Sequence, residues 1–240
     1  MPQFKEKLFI VIPCYNEQEN ISNVIFDYQK IISEFENGKV LLINDGSTDN
    51  TEFVIKENIK NRTQIELINK PNSGHGSSCL YGYKLAITQG AEYIFQVDSD
   101  NQNKSQDFWK LWEKRNESNF VFGNRKHRND GFFRKIVSLI LKCSILVIFG
   151  LKIKDPNVPF RLMNANILAK YIEQIPSSFF ITNTLISIIL AVNNEKIKWL
   201  DVEFNKRQKG KNSISVIPIL KVSKTIYREL IWLKRNMRNC

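Results

Sequence analysis

Two carboxylates one residue apart, in the run Asp98-Ser99-Asp100-Asn101-Gln102, are the residues best spaced for chemistry in this chain. If the backbone bends there, both can face one hard divalent cation, which takes oxygen ligands. Gln102 brings a neutral oxygen to the same neighbourhood. An ion so held would bridge the diphosphate of a nucleotide donor and offset the charge that gathers on the departing phosphate. An Asp-x-Asp is also an ordinary solvated turn, and only its placement separates the two. Asp45, in Asn44-Asp45-Gly46-Ser47-Thr48-Asp49, suits a turn with a helix cap at Ser47 or Thr48, and a ligand contact is compatible with both. Gly74-His75-Gly76-Ser77-Ser78, opening a helix, can aim backbone N–H groups at phosphate, although it lacks the Lys-Ser/Thr ending of a P-loop. His127 reads as a surface residue, and His75 is given no firmer role.

The elements that must position these residues show in the hydrophobic pattern. Short apolar runs, Leu8 to Ile12, Val40 to Ile43, Ile65 to Ile68, Tyr93 to Val97 and Phe120 to Phe122, alternate with helical periodicity. That alternation builds an α/β domain with a mostly parallel sheet covered by helices. Ile21, Val24, Ile25, Tyr28, Ile31, Ile32 and Phe35 form one apolar helical stripe. Ligands of such sheets gather beyond the carboxyl ends of the strands. Pro13-Cys14-Tyr15-Asn16-Glu17, Asn44 to Asp49, Asn69 to Ser77 and Asp98 to Gln102 all fall there.

After Gly123 come a basic loop (Arg125 to Arg134), an apolar helix (Phe132 to Phe149), a turn at Asp155-Pro156, and a second apolar helix near Ile181 to Val192. A strand from Ile197 to Phe204 and a basic segment from Lys206 to Lys211 follow. The expected organisation is one domain over 1–215, with 1–123 the nucleotide-binding half and 124–215 the acceptor-side half. A basic amphipathic helix and tail occupy 216–240, with Ile219, Val222, Ile226, Leu230 and Leu233 on one face and Lys221, Lys224 and Arg228 away from it.

The 240 residues carry a formal charge of +11, which calls for a polyanionic partner. Nucleic acid is disfavoured, because Asp45, Asp98 and Asp100 would oppose it. Cys14, Cys79, Cys143 and Cys240 are scattered without metal-ligand spacing, which fits a reducing cytosol. The longest apolar stretch, Ile136 to Leu151, includes Lys142 and falls short of the roughly 20 residues that span a bilayer.

Val11-Ile12-Pro13-Cys14-Tyr15-Asn16-Glu17, Asn44 to Asp49, Asp98-Ser99-Asp100, Gly123-Asn124-Arg125, Asp155-Pro156 with Phe160-Arg161, and Arg207-Gln208-Lys209-Gly210 with Ser213 appear in this order. Together they resemble the family 2 glycosyltransferases of GT-A fold, especially the dolichol- or polyprenyl-phosphate sugar synthases. The resemblance implies that Pro13, Tyr15, Glu17, Asp45, Asp98 and Ser99 bind the UDP- or GDP-sugar. It implies that Asp98, Asp100 and Gln102 surround Mg²⁺ or Mn²⁺, and that Arg125, Arg134 and Arg207 handle donor and acceptor phosphates. Two positions depart from the pattern: Asn44 stands where a second Asp is common, and Asn157-Val158-Pro159 replaces a Gly-containing link.

Transfer to a sugar hydroxyl needs a carboxylate to remove its proton. Hydroxyl-accepting members of the family usually carry that acid near the start of the late helix, yet Ile175 to Asn194 contains no acidic residue. A phosphate acceptor is already ionised and needs only cations to place it. The expectation is therefore inverting transfer of a hexose to a lipid phosphate, by a peripheral protein on the cytoplasmic face of an anionic membrane, with room for a separate membrane partner. The alternative is transfer to a saccharide hydroxyl in cell-envelope synthesis. Asp155 is left as either a base or an organiser of the acceptor loop.

Overall fold

The computed structural model describes residues 2–125, 132–173, 175–205 and 219–236, with side chains for all of these except 132–135 and 219–222. Its centre is a seven-stranded sheet in the order β3-β2-β1-β4-β6-β5-β7. The strands are β1 (Leu8–Cys14), β2 (Lys39–Asn44), β3 (Ile65–Asn69), β4 (Tyr93–Val97), β5 (Phe120–Arg125), β6 (Phe160–Asn164) and β7 (Ile197–Val202). β1 is buried along its whole length, as a strand covered on both faces must be. It pairs in parallel with β2 on one side and β4 on the other. The order of the chain reverses between β1 and β4, and this switch point is where an open α/β sheet leaves a crevice. Asp98 follows the last residue of β4 and so lies at that crevice.

The helices are α1 (Ile21–Ile32), α2 (Thr51–Ile59), α3 (His75–Thr88), α4 (Asp107–Trp112), α5 (Phe132–Phe149), α6 (Ala165–Ile172), α7 (Thr182–Val192) and α8 (Ile219–Asn236). The α1 stripe is buried as its spacing predicts, and Phe35 beyond it stacks with Phe4 and meets Trp112 edge-on. α8 buries Ile226, Leu230 and Leu233, the described part of its expected apolar face, and leaves Lys224 and Arg228 exposed. It packs on α5, which buries Leu141 and Ile145 yet exposes Leu139, Leu146 and Val147. Among the described residues no helix is long and apolar enough to cross a membrane.

Strand β6 and helix α6 go beyond the sequence expectation. β6 runs antiparallel between β4 and β5, so β5 pairs with β6 and β7 and not with β4. A strand of five residues with an arginine at its second position carries little hydropathy signal. Arg161 is nonetheless fully buried. Its Nε and Nη2 donate to the Val158 carbonyl at 2.9 and 2.7 Å, its Nη1 donates to the Asn183 carbonyl at 3.0 Å, and its guanidinium lies 4.4 Å from the Phe122 ring centre. Arg161→Met preserves bulk but strands these carbonyls, so it should lower unfolding stability by about 3 kcal/mol, read from the urea midpoint. An unchanged midpoint would mean that water replaces the guanidinium at no cost.

Candidate active site

Three loops at the carboxyl edge of the sheet are tied to one another by side chains. Asn16 takes a left-handed φ of 55° after β1, and its Oδ1 accepts from the Thr48 N–H at 2.8 Å while its own N–H donates to Ser47 Oγ at 3.0 Å. The Glu17 N–H donates to Thr51 Oγ1 at 2.7 Å, and the buried Glu17 carboxylate accepts from Asn20 Nδ2 at 2.7 Å. Tyr15 remains exposed at the rim. Asn44 binds the end of β3, donating to Asn69 Oδ1 at 2.8 Å, and accepts the Ser47 hydroxyl at 2.6 Å. An amide provides a donor here that an ionised aspartate lacks.

Asp45 is buried and well satisfied. Its Oδ1 accepts from the Ser73 N–H and its Oδ2 from the Gly74 N–H, each at 2.9 Å, and Lys70 pairs with it. Burial pushes the carboxyl up, but the Lys70 ammonium and the Ser73 amide outweigh that and hold it below the usual carboxylate range. Gly46, at φ 64°, lets the third loop approach: a Cβ there would stand 2.8 Å from the Asn72 nitrogen.

At the crevice, Asn101 has a left-handed φ of 58°, which bends the chain directly after Asp100. Asp98 Oδ1 lies 2.8 Å from His75 Nε2 and accepts from Gln96 Nε2 at 3.0 Å. Its partial burial pushes the carboxyl up, but the His75 ring, the Arg125 charge and the Gln96 amide together hold it below the usual range. Ser99 turns inward and donates to the Pro13 carbonyl at 2.8 Å, which ties the motif to the end of β1. Asp100 Oδ1 accepts the Gln102 N–H at 3.2 Å. Gln102 donates its amide to the Asn205 carbonyl at 2.9 Å and leaves Oε1 buried with no hydrogen-bond partner.

That orphaned oxygen and the two carboxylates are the oxygen donors this loop would offer a hard cation. Among the described residues no group of three or more His, Cys, Asp or Glu side chains could hold a metal ion. Phosphate oxygens or water would therefore have to complete the coordination.

At the end of β5, Arg125 grips Asp155 with both ends of its fork, Nε to Oδ2 at 2.6 Å and Nη2 to Oδ1 at 2.8 Å, and both side chains are buried. The Arg125 guanidinium also lies 5.1 Å from the Phe204 ring centre. The side chain of Arg134, along with Arg207 and His127, lies outside the described residues. Sequence reasoning missed two partners. His75 is set against Asp98, which only the fold brings near. Glu229 arrives from α8 at the start of α7, where the sequence of that helix has no acid, and accepts from the Phe180 and Ile181 N–H groups at 2.8 and 3.0 Å.

The profile of glycosyl transferase family 2 matches residues 9–179, from the second residue of β1 through the whole of β6. The chain belongs to that family. It is a glycosyltransferase with the GT-A fold. It is 27% identical over 179 residues to the undecaprenyl-phosphate 4-deoxy-4-formamido-L-arabinose transferase of Proteus mirabilis, a match covering 73% of this chain and 54% of that one. Among solved structures, mannosyl-3-phosphoglycerate synthase from Rubrobacter xylanophilus superposes with a TM-score of 0.72 at 14% identity, over 98% of this chain and 76% of that one. Glucosyl-3-phosphoglycerate synthase from Mycobacterium tuberculosis, in complex with Mn²⁺, UDP and glucosyl-3-phosphoglycerate, superposes with a TM-score of 0.68 at 13% identity, over 95% and 80%.

Asp45 offers a test of the loop ties. A carboxyl whose folded pKa is depressed stabilises the fold above its unfolded pKa, and the contribution is lost as pH falls through the folded value. Asp45→Asn should therefore cost about 2 kcal/mol at pH 7. The gap to wild type should shrink below about pH 4, as followed by urea unfolding. A gap of equal size at pH 3 and pH 7 would refute the charge-based tie.

Proposed function

We propose that this glycosyltransferase moves a sugar, most simply a hexose, from a UDP- or GDP-sugar to a polyprenyl or dolichyl phosphate at an anionic membrane surface. The observation that carries this proposal is the state of the two buried carboxylates on the acceptor side. Asp155 is held at both oxygens by Arg125, and Glu229 at both by backbone amides. A hydroxyl nucleophile would need one of them as a base within reach of its proton. A phosphate nucleophile is already ionised and needs none. Asp155 then acts as an organiser that sets the Arg125 fork, and Arg125, Arg134 and Arg207 serve the phosphates.

Pro13, Tyr15, Glu17, Asp45 and Ser99 build the donor cleft in this scheme, and Asp98, Asp100 and Gln102 hold Mg²⁺ or Mn²⁺. When bound, that ion supplies positive charge to the diphosphate that leaves. Asp98 and Asp100 fix its place, and the loops of β1 and β2 orient the nucleoside so that the acceptor oxygen attacks from the opposite face, inverting the anomeric carbon. The relative named for transfer to undecaprenyl phosphate supports the acceptor class, and the neighbour complexed with Mn²⁺ and UDP supports the donor site. The exposed Leu139, Leu146 and Val147 of α5, and the exposed Lys224 and Arg228 of α8, which packs on α5, suit contact with an anionic bilayer.

Incubation with radiolabelled sugar nucleotides and polyprenyl phosphate should yield a chloroform-extractable, acid-labile product. Label that enters only water-soluble saccharide would establish the hydroxyl acceptor instead. In the same assay Asp98→Asn and Asp100→Asn should each lower turnover by about 100-fold or more. Variants as fast as wild type would remove the acidic motif from the mechanism.

A further inference from the structure

Glu229 is 3% exposed, and its carboxylate serves a helix other than its own. Helix α7 has no cap from its N-cap side chain at Ile181. Glu229 supplies that cap from α8, binding the Phe180 and Ile181 amides that open the helix. The same turn is pressed from its other side by α3. Any Cβ at Gly76 would stand 2.3 and 2.5 Å from the Phe180 and Phe179 carbonyl oxygens.

Two residues into α7, Asn183 faces the core. Its Oδ1 accepts the Tyr83 hydroxyl at 2.7 Å, and its Nδ2 donates to Gln96 Oε1 at 3.0 Å. Gln96 in turn donates to Asp98 Oδ1 at 3.0 Å. Tyr83, Asn183 and Gln96 are all buried, so no solvent competes for these bonds and each side chain has its orientation fixed by the next.

We propose that Glu229 is a positioning residue for Asp98: it fixes the start of α7, which sets Asn183 and, through Gln96, the orientation of the Asp98 carboxylate. The seating of α8 is thereby transmitted to the acidic motif. This rests on Asp98 being a ligand of the divalent ion, as proposed above, and it is independent of the acceptor.

The test is direct Mn²⁺ binding in the presence of UDP, followed by electron paramagnetic resonance, on wild type, Glu229→Gln, Asn183→Ala, their double variant and Tyr83→Phe. Melting temperatures without metal report folding separately. Residues that orient a ligand typically cost about 10- to 100-fold in metal affinity when lost. Glu229→Gln and Asn183→Ala should each raise the half-saturating Mn²⁺ about tenfold. Because they lie on one path, the double variant should be little worse than the more severe single one. Tyr83→Phe loses only a hydroxyl and should give a smaller rise in the same direction; should Glu229→Gln fail to fold, Tyr83→Phe and Asn183→Ala carry the test of the buried path. The inference is overturned if Glu229→Gln lowers the melting temperature but binds Mn²⁺ as wild type does, if the two single effects multiply in the double variant, or if Tyr83→Phe and Asn183→Ala bind like wild type. A wild-type chain that binds no Mn²⁺ with UDP present refutes Asp98 as a ligand and takes this inference with it.

Discussion

Burying a guanidinium is costly unless every side of it meets a partner. Arg161 meets the carbonyls of Val158 and Asn183 and the face of Phe122, and so joins β6 to α7 and β5. The elements that follow β5 depend on this junction. It holds the antiparallel strand against β4, and it keeps α7 at the depth where Asn183 reaches Gln96. Without that charge in the middle of the fold, the polar side chains leading to Asp98 would lie in a layer of apolar residues with no reason to be ordered.

The first four strands achieve order differently. They are mostly apolar, although Glu66 in β3 and Gln96 in β4 interrupt the pattern, and the work of fixing the loops falls to short side chains at the carboxyl edge. Asn16 reaches the β2 loop, Asp45 gathers the loop after β3, and Ser99 returns to β1. Each loop is thus braced by another through side-chain hydrogen bonds, an arrangement that limits the ordering entropy lost on binding.

The strands β1 to β4 and helix α1 were legible from apolar runs and 3.6-residue spacing, and the position of the acidic motif followed from strand-end geometry alone. The left-handed Asn101 that bends the chain after Asp100 had no signal of its own in the sequence. β6 was hidden because Arg161 breaks its apolar run, and a strand that enters the sheet between β4 and β5 leaves no trace in local periodicity. His75 and Glu229 were hidden for another reason. A histidine at a helix start and a glutamate on a late amphipathic helix look like surface residues, and only the packing of α3 and α8 brings them to Asp98 and α7. The absence of an acid in Ile175 to Asn194 was correctly legible, but a distant segment fills that place with a carboxylate used as a cap.

The cap on α7 comes from a residue 48 positions downstream of Ile181. Closing so long a loop is slow compared with forming a helix from its own neighbours. During synthesis the sheet can pair while α8 is still within the ribosome, but α7 lacks its cap until α8 has emerged. Assembly of the acidic site in the nascent chain is in this sense timed by α8 and not by α7 itself.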